Sequence, residues 1–172
     1  MKKTISIIIS IAMCAMLASC GGVKNEVSDT EQPTLIDTMS LEEKVGQILF
    51  VRCVDDEQTD DLMSIKPGGI LMFGRDFEGL TKDEVKEKIQ SYQDKSDIPL
   101  IIGADEEGGT VVRVSSNPNL APEKFKSPQE IYNEGGMDAV VENATEKSEL
   151  LLSLGVNMNL APVADVSTNP SD

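Results

Sequence analysis

The sequence predicts an α/β fold with a parallel sheet, and three observations support this prediction. Short apolar runs and amphipathic helical patterns alternate about four times along the 172 residues. The apolar runs are continuous, as in strands buried on both faces. Carboxylates follow two of the runs, at Asp105 and Asp165. Four such units fit either a small open sheet or half of an eight-stranded barrel, and periodicity alone does not choose between them.

Four apolar runs are the predicted strands, and polar or glycine-containing segments bound each of them. They are Ile48–Val51, Ile70–Phe73, Leu100–Ile102 and Val156–Leu160. The third run is followed by three consecutive carboxylates and a glycine pair, and Arg113 follows four residues later. The end of a buried strand is where α/β proteins usually hold their ligands. The stretch from Asp105 to Arg113 is therefore the predicted functional centre.

Capping residues and apolar spacing predict the helices. Capping boxes begin at Ser40 and Thr81, and Ser127 precedes a proline that suits the first helical position. The acidic stretch 55–64 is predicted to be a loop with a short helix. The last helix ends at Gly155 and carries an apolar stripe at helical spacing. Its members are Met137, Val140, Val141, Ala144, Ser148, Leu151 and Leu152.

Composition excludes several classes of function. Asp and Glu total 30 against 15 Lys and Arg, which gives a net charge of -15 and argues against nucleic-acid binding. The chain has no histidine, so a Ser-His-Asp or Cys-His site cannot be built. Its three cysteines, Cys14, Cys20 and Cys53, fit no zinc spacing. We therefore expect no metal and no cofactor.

The first residues have the pattern of an export signal. A basic start at Lys2 and Lys3 precedes an apolar run too short to span a bilayer comfortably. The run ends in Leu17-Ala-Ser-Cys-Gly21, which resembles the lipobox of bacterial lipoproteins. That resemblance implies cleavage between Ser19 and Cys20, a lipid on Cys20 and an exported protein anchored to the membrane of a bacterial envelope. The alternative is an ordinary secretory signal with an incidental cysteine.

Three regions follow from this interpretation. Residues 1–19 are the predicted signal peptide, and residues 20–34 are a lipidated, flexible tether with few apolar side chains. Residues 35–172 are the predicted folded domain. Cys53 lies at the end of an apolar run and is most simply a buried small hydrophobe.

Several segments of the folded domain resemble the opening of glycoside hydrolase family 3, and specifically its β-N-acetylhexosaminidases, which act on cell-wall sugars. They are Leu41–Gln47, Gly69–Arg75, Ala104–Gly109 with Arg113, and Leu154–Asp165. The resemblance runs from about Leu35 to Pro170 in the family's order. It implies that the domain is the first half, about four β/α units, of a (β/α)8 TIM-type barrel.

The resemblance also implies roles for two residues. The acid that matches Asp105 binds hydroxyls of the terminal sugar, and the arginine that matches Arg113 contacts the same sugar. A carboxylate can accept from two vicinal hydroxyls, and a guanidinium can hold either the carboxylate or the sugar. This chain departs from the family pattern at Glu106, where Gln is usual, and at Thr110, where Arg or Lys is usual.

Structural alternatives remain open for these residues. Asp105 could cap its turn by accepting from the amides of Gly108 and Gly109, and Arg113 could pair with Glu106 or Glu107. We expect both glutamates to be structural, either paired or solvated. Arg75 and Asp165 follow other strands and are assigned no role. The glycine pair lacks the lysine and helix start of a phosphate-binding loop.

The implied function is that of an exo-acting glycosidase of the β-N-acetylhexosaminidase type, with a terminal β-linked sugar as substrate. A β-glucosidase or β-xylosidase of the same family is the alternative within this class. Two further hypotheses are a non-catalytic sugar-binding lipoprotein and a truncated product without function. A half-barrel would expose two sheet edges and much of its apolar interior, which is why the last hypothesis stays open.

We expect the 172-residue chain alone not to hydrolyse glycosides. The family's retaining mechanism uses a nucleophile and a proton donor on opposite sides of the scissile bond. By the resemblance, the family's sugar-binding Lys-His segment, its histidine acid/base and its aspartate nucleophile all lie beyond residue 172, so this chain contains no catalytic residue. Release of chromophore from an aryl β-N-acetylglucosaminide by the purified chain would contradict this prediction.

Overall fold

The computed structural model describes residues 33–52 and 56–164. The predictions for the signal peptide, Cys20, Cys53 and Asp165 concern positions outside the described residues. The account below is therefore of the folded domain that begins at Leu35.

Strands and helices alternate through the described residues. The helices are α1 (Leu35–Thr38), α2 (Leu41–Gln47), α3 (Asp56–Ser64), α4 (Gly74–Phe77), α5 (Lys82–Gln93) and α6 (Pro128–Leu154). The strands are β1 (Phe50–Arg52), β2 (Gly69–Met72), β3 (Ile101–Ala104) and β4 (Met158–Asn159).

The four strands form one parallel sheet, as predicted, and they lie side by side in the order β1-β2-β3-β4. Ile70 of β2 is in register with Val51 of β1 and with Ile102 of β3. Gly103 is in register with Met158 of β4. Because all strands run the same way, their carboxyl ends meet at one edge of the sheet, which is where Asp105 follows β3.

The core forms where the sheet meets α5 and α6. One face of α5 is buried, with Val85, Ile89 and Tyr92 each less than 5% exposed. These side chains join a cluster of buried residues from α3, β2, α4, β3, α6 and the loops. Its other members are Met63, Ile70, Met72, Phe77, Leu100, Ile102, Ala104, Val114, Leu120, Leu151, Leu154 and Val156. Burial of apolar surface on this scale is the main stabilising contribution to such a domain.

The helix termini follow the sequence signals closely. Ser40, Thr81 and Ser127 each accept a hydrogen bond from the backbone N–H three residues later, and each is paired with a glutamate in a capping box. Gly155 ends α6 in the left-handed region with φ of 92°, which a residue with a Cβ rarely adopts.

The predicted strand boundaries were wrong by one or two residues. The N–H groups of Ile48 and Leu49 donate to carbonyls of α2, so both residues belong to the turn that ends that helix. The N–H of Leu100 donates to the side chain of Gln93, which delays the start of β3. The N–H of Phe73 donates to the side chain of Asp76 and takes that residue out of β2. The short helix α4 that follows was not predicted.

Helix α6 differs most from the sequence prediction. It continues from Pro128 to Leu154, interrupted at Gly136, whose φ and ψ of 69° and -158° are not helical. Part of the predicted apolar stripe faces away from the core, since Met137, Val141 and Leu152 are all at least 60% exposed. Lys147 is buried instead. Spacing locates an apolar stripe, but it does not show which neighbouring element covers it.

Helix α3 occupies most of the acidic stretch 55–64, where a loop with a short helix was predicted. Within residues 33–52 and 56–164, none of the helices combines the length and apolar character needed to cross a bilayer.

Candidate substrate-binding site

Asp105 and Arg113 lie together at the carboxyl end of β3. Asp105 is the first residue after the strand, and a loop returns Arg113 to its side. A nitrogen of the Arg113 guanidinium donates to a carboxylate oxygen of Asp105 across 3.4 Å. The Arg113 side chain is 26% exposed and that of Asp105 is 24% exposed, so both are largely buried but still accessible.

An aromatic ring connects this pair to the neighbouring strands. Phe73 follows β2, and the guanidinium carbon of Arg113 lies 5.6 Å from the centre of its ring. Arg52, the last residue of β1, lies 4.2 Å from the same centre. Both distances are within the range of cation–π attraction. Three adjacent strand ends therefore contribute charged or aromatic side chains to one surface.

Glu106 points away from this surface and is completely buried. Its carboxylate accepts from the N–H groups of Arg113, Val114 and Ser115 and from the Ser115 hydroxyl. We predicted a glutamate that is paired or solvated, whereas Glu106 is enclosed by the protein and bound by amides and a hydroxyl. Its partners are backbone amides and a hydroxyl, so the alternative pairing of the Arg113 guanidinium with Glu106 is wrong.

The glycine pair forms a tight turn between Asp105 and Arg113. The N–H groups of Gly108 and Gly109 donate to the carbonyls of Val111 and Phe125. The predicted alternative, in which Asp105 accepts from these two amides, is therefore wrong. Gly108 has a φ of 105°, and a Cβ there would overlap the carbonyl oxygen of Lys126. Only glycine fits this position without a shift of the backbone.

Lys147, which the sequence did not single out, supports the loop from the side of α6. It is 8% exposed, and its Nζ donates to the carbonyl oxygen of Glu107 across 2.7 Å. The same nitrogen lies 5.3 Å from the centre of the Phe125 ring. Burial lowers the pKa of Lys147, and the charges of Glu106 and Glu107 oppose that shift. A cation is thus held beneath the loop that carries the Asp105–Arg113 pair.

Arg113 has binding capacity that the protein does not use. In the described part of the chain, its Nε is the buried side-chain nitrogen or oxygen without a hydrogen-bond partner. A guanidinium donates through five N–H groups and a carboxylate accepts at two oxygens, so the pair can engage several hydroxyls of one sugar. Within the described residues, no three acidic or cysteine side chains gather closely enough to hold a metal ion. Arg75 lies exposed in α4 and is not assigned a role.

Comparison with known proteins identifies the family. A profile of the glycosyl hydrolase family 3 N terminal domain matches residues 40–172. The chain belongs to glycosyl hydrolase family 3. Beta-hexosaminidase A from Pseudoalteromonas piscicida is 31% identical over 108 residues, which are 61% of this chain and 18% of that protein. Beta-hexosaminidase from Haemophilus influenzae is 23% identical over 113 residues, 66% of this chain and 32% of that enzyme.

Solved structures of the family share this fold. A family 3 beta-N-acetylglucosaminidase from Paenibacillus sp. aligns with a TM-score of 0.69 at 26% identity, covering 78% of this chain and 26% of that one. LpqI from M. tuberculosis aligns with a TM-score of 0.64 at 25% identity, covering 78% of this chain and 38% of that one. The chain therefore spans between about a fifth and two fifths of the length of these relatives.

The lowered pKa of Lys147 predicts a pH-dependent effect of the variant Lys147→Met. The unfolded chain holds this proton more tightly than the folded one, so the cost of burying the charge is present below the folded pKa. That cost disappears as pH rises towards the ordinary value of 10.5. We expect the free energy of unfolding of the variant, relative to the parent, to fall as pH rises towards 10.5 in urea titrations.

Lys126→Met is the matched control for this measurement. Its hydrogen bond to Glu134 raises the pKa of Lys126, so the stability that this lysine contributes persists up to 10.5 and is lost only above it. The relative free energy of unfolding of the control should therefore stay level below that pH. An equally level curve for Lys147→Met would contradict the prediction.

Proposed function

We propose that this chain is the sugar-binding part of an exo-acting β-N-acetylhexosaminidase of family 3. The observation that carries the proposal is the Asp105–Arg113 pair, largely buried but still accessible at the carboxyl end of β3. Family membership gives the reaction class, which is hydrolysis of glycosides. The relatives named as hexosaminidases favour an amino sugar over glucose or xylose as the substrate.

The proposed binding chemistry uses groups that the fold already holds in place. Asp105 accepts from two vicinal hydroxyls of the terminal sugar, and the accessible part of the Arg113 guanidinium donates to the same sugar. Partial burial strengthens both interactions, because fewer water molecules compete for the charged groups. Neither residue is a nucleophile or a proton donor in this scheme. The chain's own contribution is to grip the sugar and fix its orientation.

The proposed architecture is the first half of a (β/α)8 barrel. Its support is the sequential order of four parallel strands, since a doubly wound sheet reverses its strand order at a switch point. The family's structures add to this support through their TM-scores. In a barrel of this type the ligand lies at the carboxyl ends of the strands, which is the end that carries Asp105.

Replacement of Asp105 by asparagine tests the sugar site. A charge-assisted hydrogen bond contributes about 1.5–3 kcal/mol, so we expect Asp105→Asn to weaken binding of methyl β-N-acetylglucosaminide by about 10- to 100-fold. The measurement is a titration of the 172-residue chain followed by protein NMR. Asp138→Asn removes the same charge from an exposed position on α6 and should leave the affinity unchanged. Equal affinity of Asp105→Asn and the parent would contradict the proposed site.

The proposed cellular location is a bacterial membrane surface, reached through a lipid on Cys20. The support is the lipobox-like sequence Leu17-Ala-Ser-Cys-Gly21 after a basic start and an apolar run. Mass spectrometry of the chain produced in a bacterium should find Cys20 as the first residue, carrying a lipid. An unmodified Cys20, or cleavage at another bond, would exclude this form of anchoring. Cys20→Ser should abolish the modification.

A further inference from the structure

Three consecutive acids follow β3, and the middle one is in a different environment from its neighbours. Glu106 has no exposed surface, whereas Asp105 and Glu107 are partly exposed. A buried carboxylate is costly unless donors surround it. The role of Glu106 therefore depends on the groups that it contacts inside the protein, because a sugar at the surface cannot reach it.

Both oxygens of the Glu106 carboxylate accept hydrogen bonds from groups of the protein. One oxygen accepts from the N–H groups of Arg113 at 2.7 Å and Val114 at 2.6 Å. The other accepts from the N–H of Ser115 at 3.2 Å and from the Ser115 hydroxyl. That hydroxyl in turn accepts from the N–H of Phe125. The anion thus fixes three consecutive backbone amides and, through Ser115, the segment that leads to α6.

The main chain of Glu106 is fixed as firmly as its side chain. Its N–H donates to the side-chain oxygen of Asn159 at 2.9 Å, and its carbonyl accepts from the side-chain nitrogen of the same residue at 3.1 Å. Asn159 belongs to β4, the strand beside β3. Glu106 is therefore a fixed point on the sheet, and the segment from Arg113 to Ser115 is tied to it.

Arg113 takes its position from this connection. Its backbone N–H is bound by Glu106, while its guanidinium lies beside Asp105 and above Phe73. We infer that Glu106 is the positioning residue of the binding site: it sets where the Arg113 guanidinium stands without touching the ligand. The inference depends on the proposed function for its effect on sugar affinity, but the placement of Arg113 can be measured without any sugar.

The carboxylate form is essential to this role, because both of its oxygens accept hydrogen bonds. A glutamine offers one acceptor oxygen and an NH2 group that donates. If its oxygen served Arg113 and Val114, its NH2 would face the N–H of Ser115, which would lose its acceptor. The reverse orientation would deprive two amides of theirs. A buried donor left without an acceptor carries the full cost of its desolvation, so the loop has to shift.

Glu106→Gln in the full chain tests the inference by two independent readouts. The first is the NMR resonance of the Arg113 Nε–H, assigned by its disappearance in Arg113→Lys, which reports the position of the guanidinium relative to the Phe73 ring. We expect this resonance to move in Glu106→Gln. The second is the affinity for methyl β-N-acetylglucosaminide, which we expect to fall at least about tenfold. Loss of one charge-assisted hydrogen bond between a displaced Arg113 and the sugar has an effect of this size.

Two control variants separate positioning from general effects. Glu123→Gln removes the same charge at an exposed site and should move neither readout. Val85→Ala opens a cavity in α5, where the parent side chain is fully buried, and should lower the melting temperature without moving the Arg113 resonance. An Arg113 resonance that stays in place in folded Glu106→Gln would overturn the inference.

A further variant covers the case in which Glu106→Gln does not fold. Ser115→Ala removes one of the four donors and leaves the two amides on the other oxygen. It should move the Arg113 resonance detectably, and an unmoved resonance would again overturn the inference. If the parent chain binds no sugar while both variants move the resonance, the proposed function fails and the positioning role stands.

Discussion

A carboxylate enclosed by protein has to find its hydrogen bonds there, and Glu106 finds four within the nine residues that follow it. Those bonds close the loop after β3 into a compact unit. The glycine turn inside the loop and Lys147 beneath it act on the same few residues. The side chains of Asp105 and Arg113 are held in defined positions because the groups that support them are buried. An exposed loop of this length would sample many positions.

The sequence was most informative about helices, because their ends are determined by neighbouring residues. Capping at Ser40, Thr81 and Ser127 involves side chains and amides three positions apart, and a linear pattern contains that information in full. Strand ends depend on backbone bonds to side chains that lie outside the apolar runs. Gln93, seven residues away, takes the N–H of Leu100, and Asp76 takes that of Phe73. An apolar run shows which residues are buried, but it does not show which of their amides side chains occupy.

The candidate site was also predictable only in part. Asp105 and Arg113 stand out from the motif and from their place after a buried run, and the structure brings them together. Their supports do not stand out. Lys147 is 40 residues from the carbonyl that it binds, and it lies on a helix whose apolar stripe drew attention elsewhere. Arg52 and Arg113 both reach the ring of Phe73 because parallel strands align their carboxyl ends. Sequence finds the candidate binding residues more readily than the residues that hold them in place.

Two asparagine side chains add to the backbone hydrogen bonds that attach the short strand β4 to β3. The side-chain amide of Asn157 accepts from the N–H of Ile102 and donates to the carbonyl of Leu100. The side-chain amide of Asn159 accepts from the N–H of Glu106 and donates to its carbonyl. Asparagine is thermolabile, and its slow deamidation yields a carboxylate. Deamidation of Asn157 or Asn159 would replace the side-chain NH2 donor with a negatively charged oxygen that faces a backbone carbonyl. Deamidation of either asparagine would therefore weaken the attachment of β4 at the point where the sheet meets the loop that carries Asp105 and Arg113.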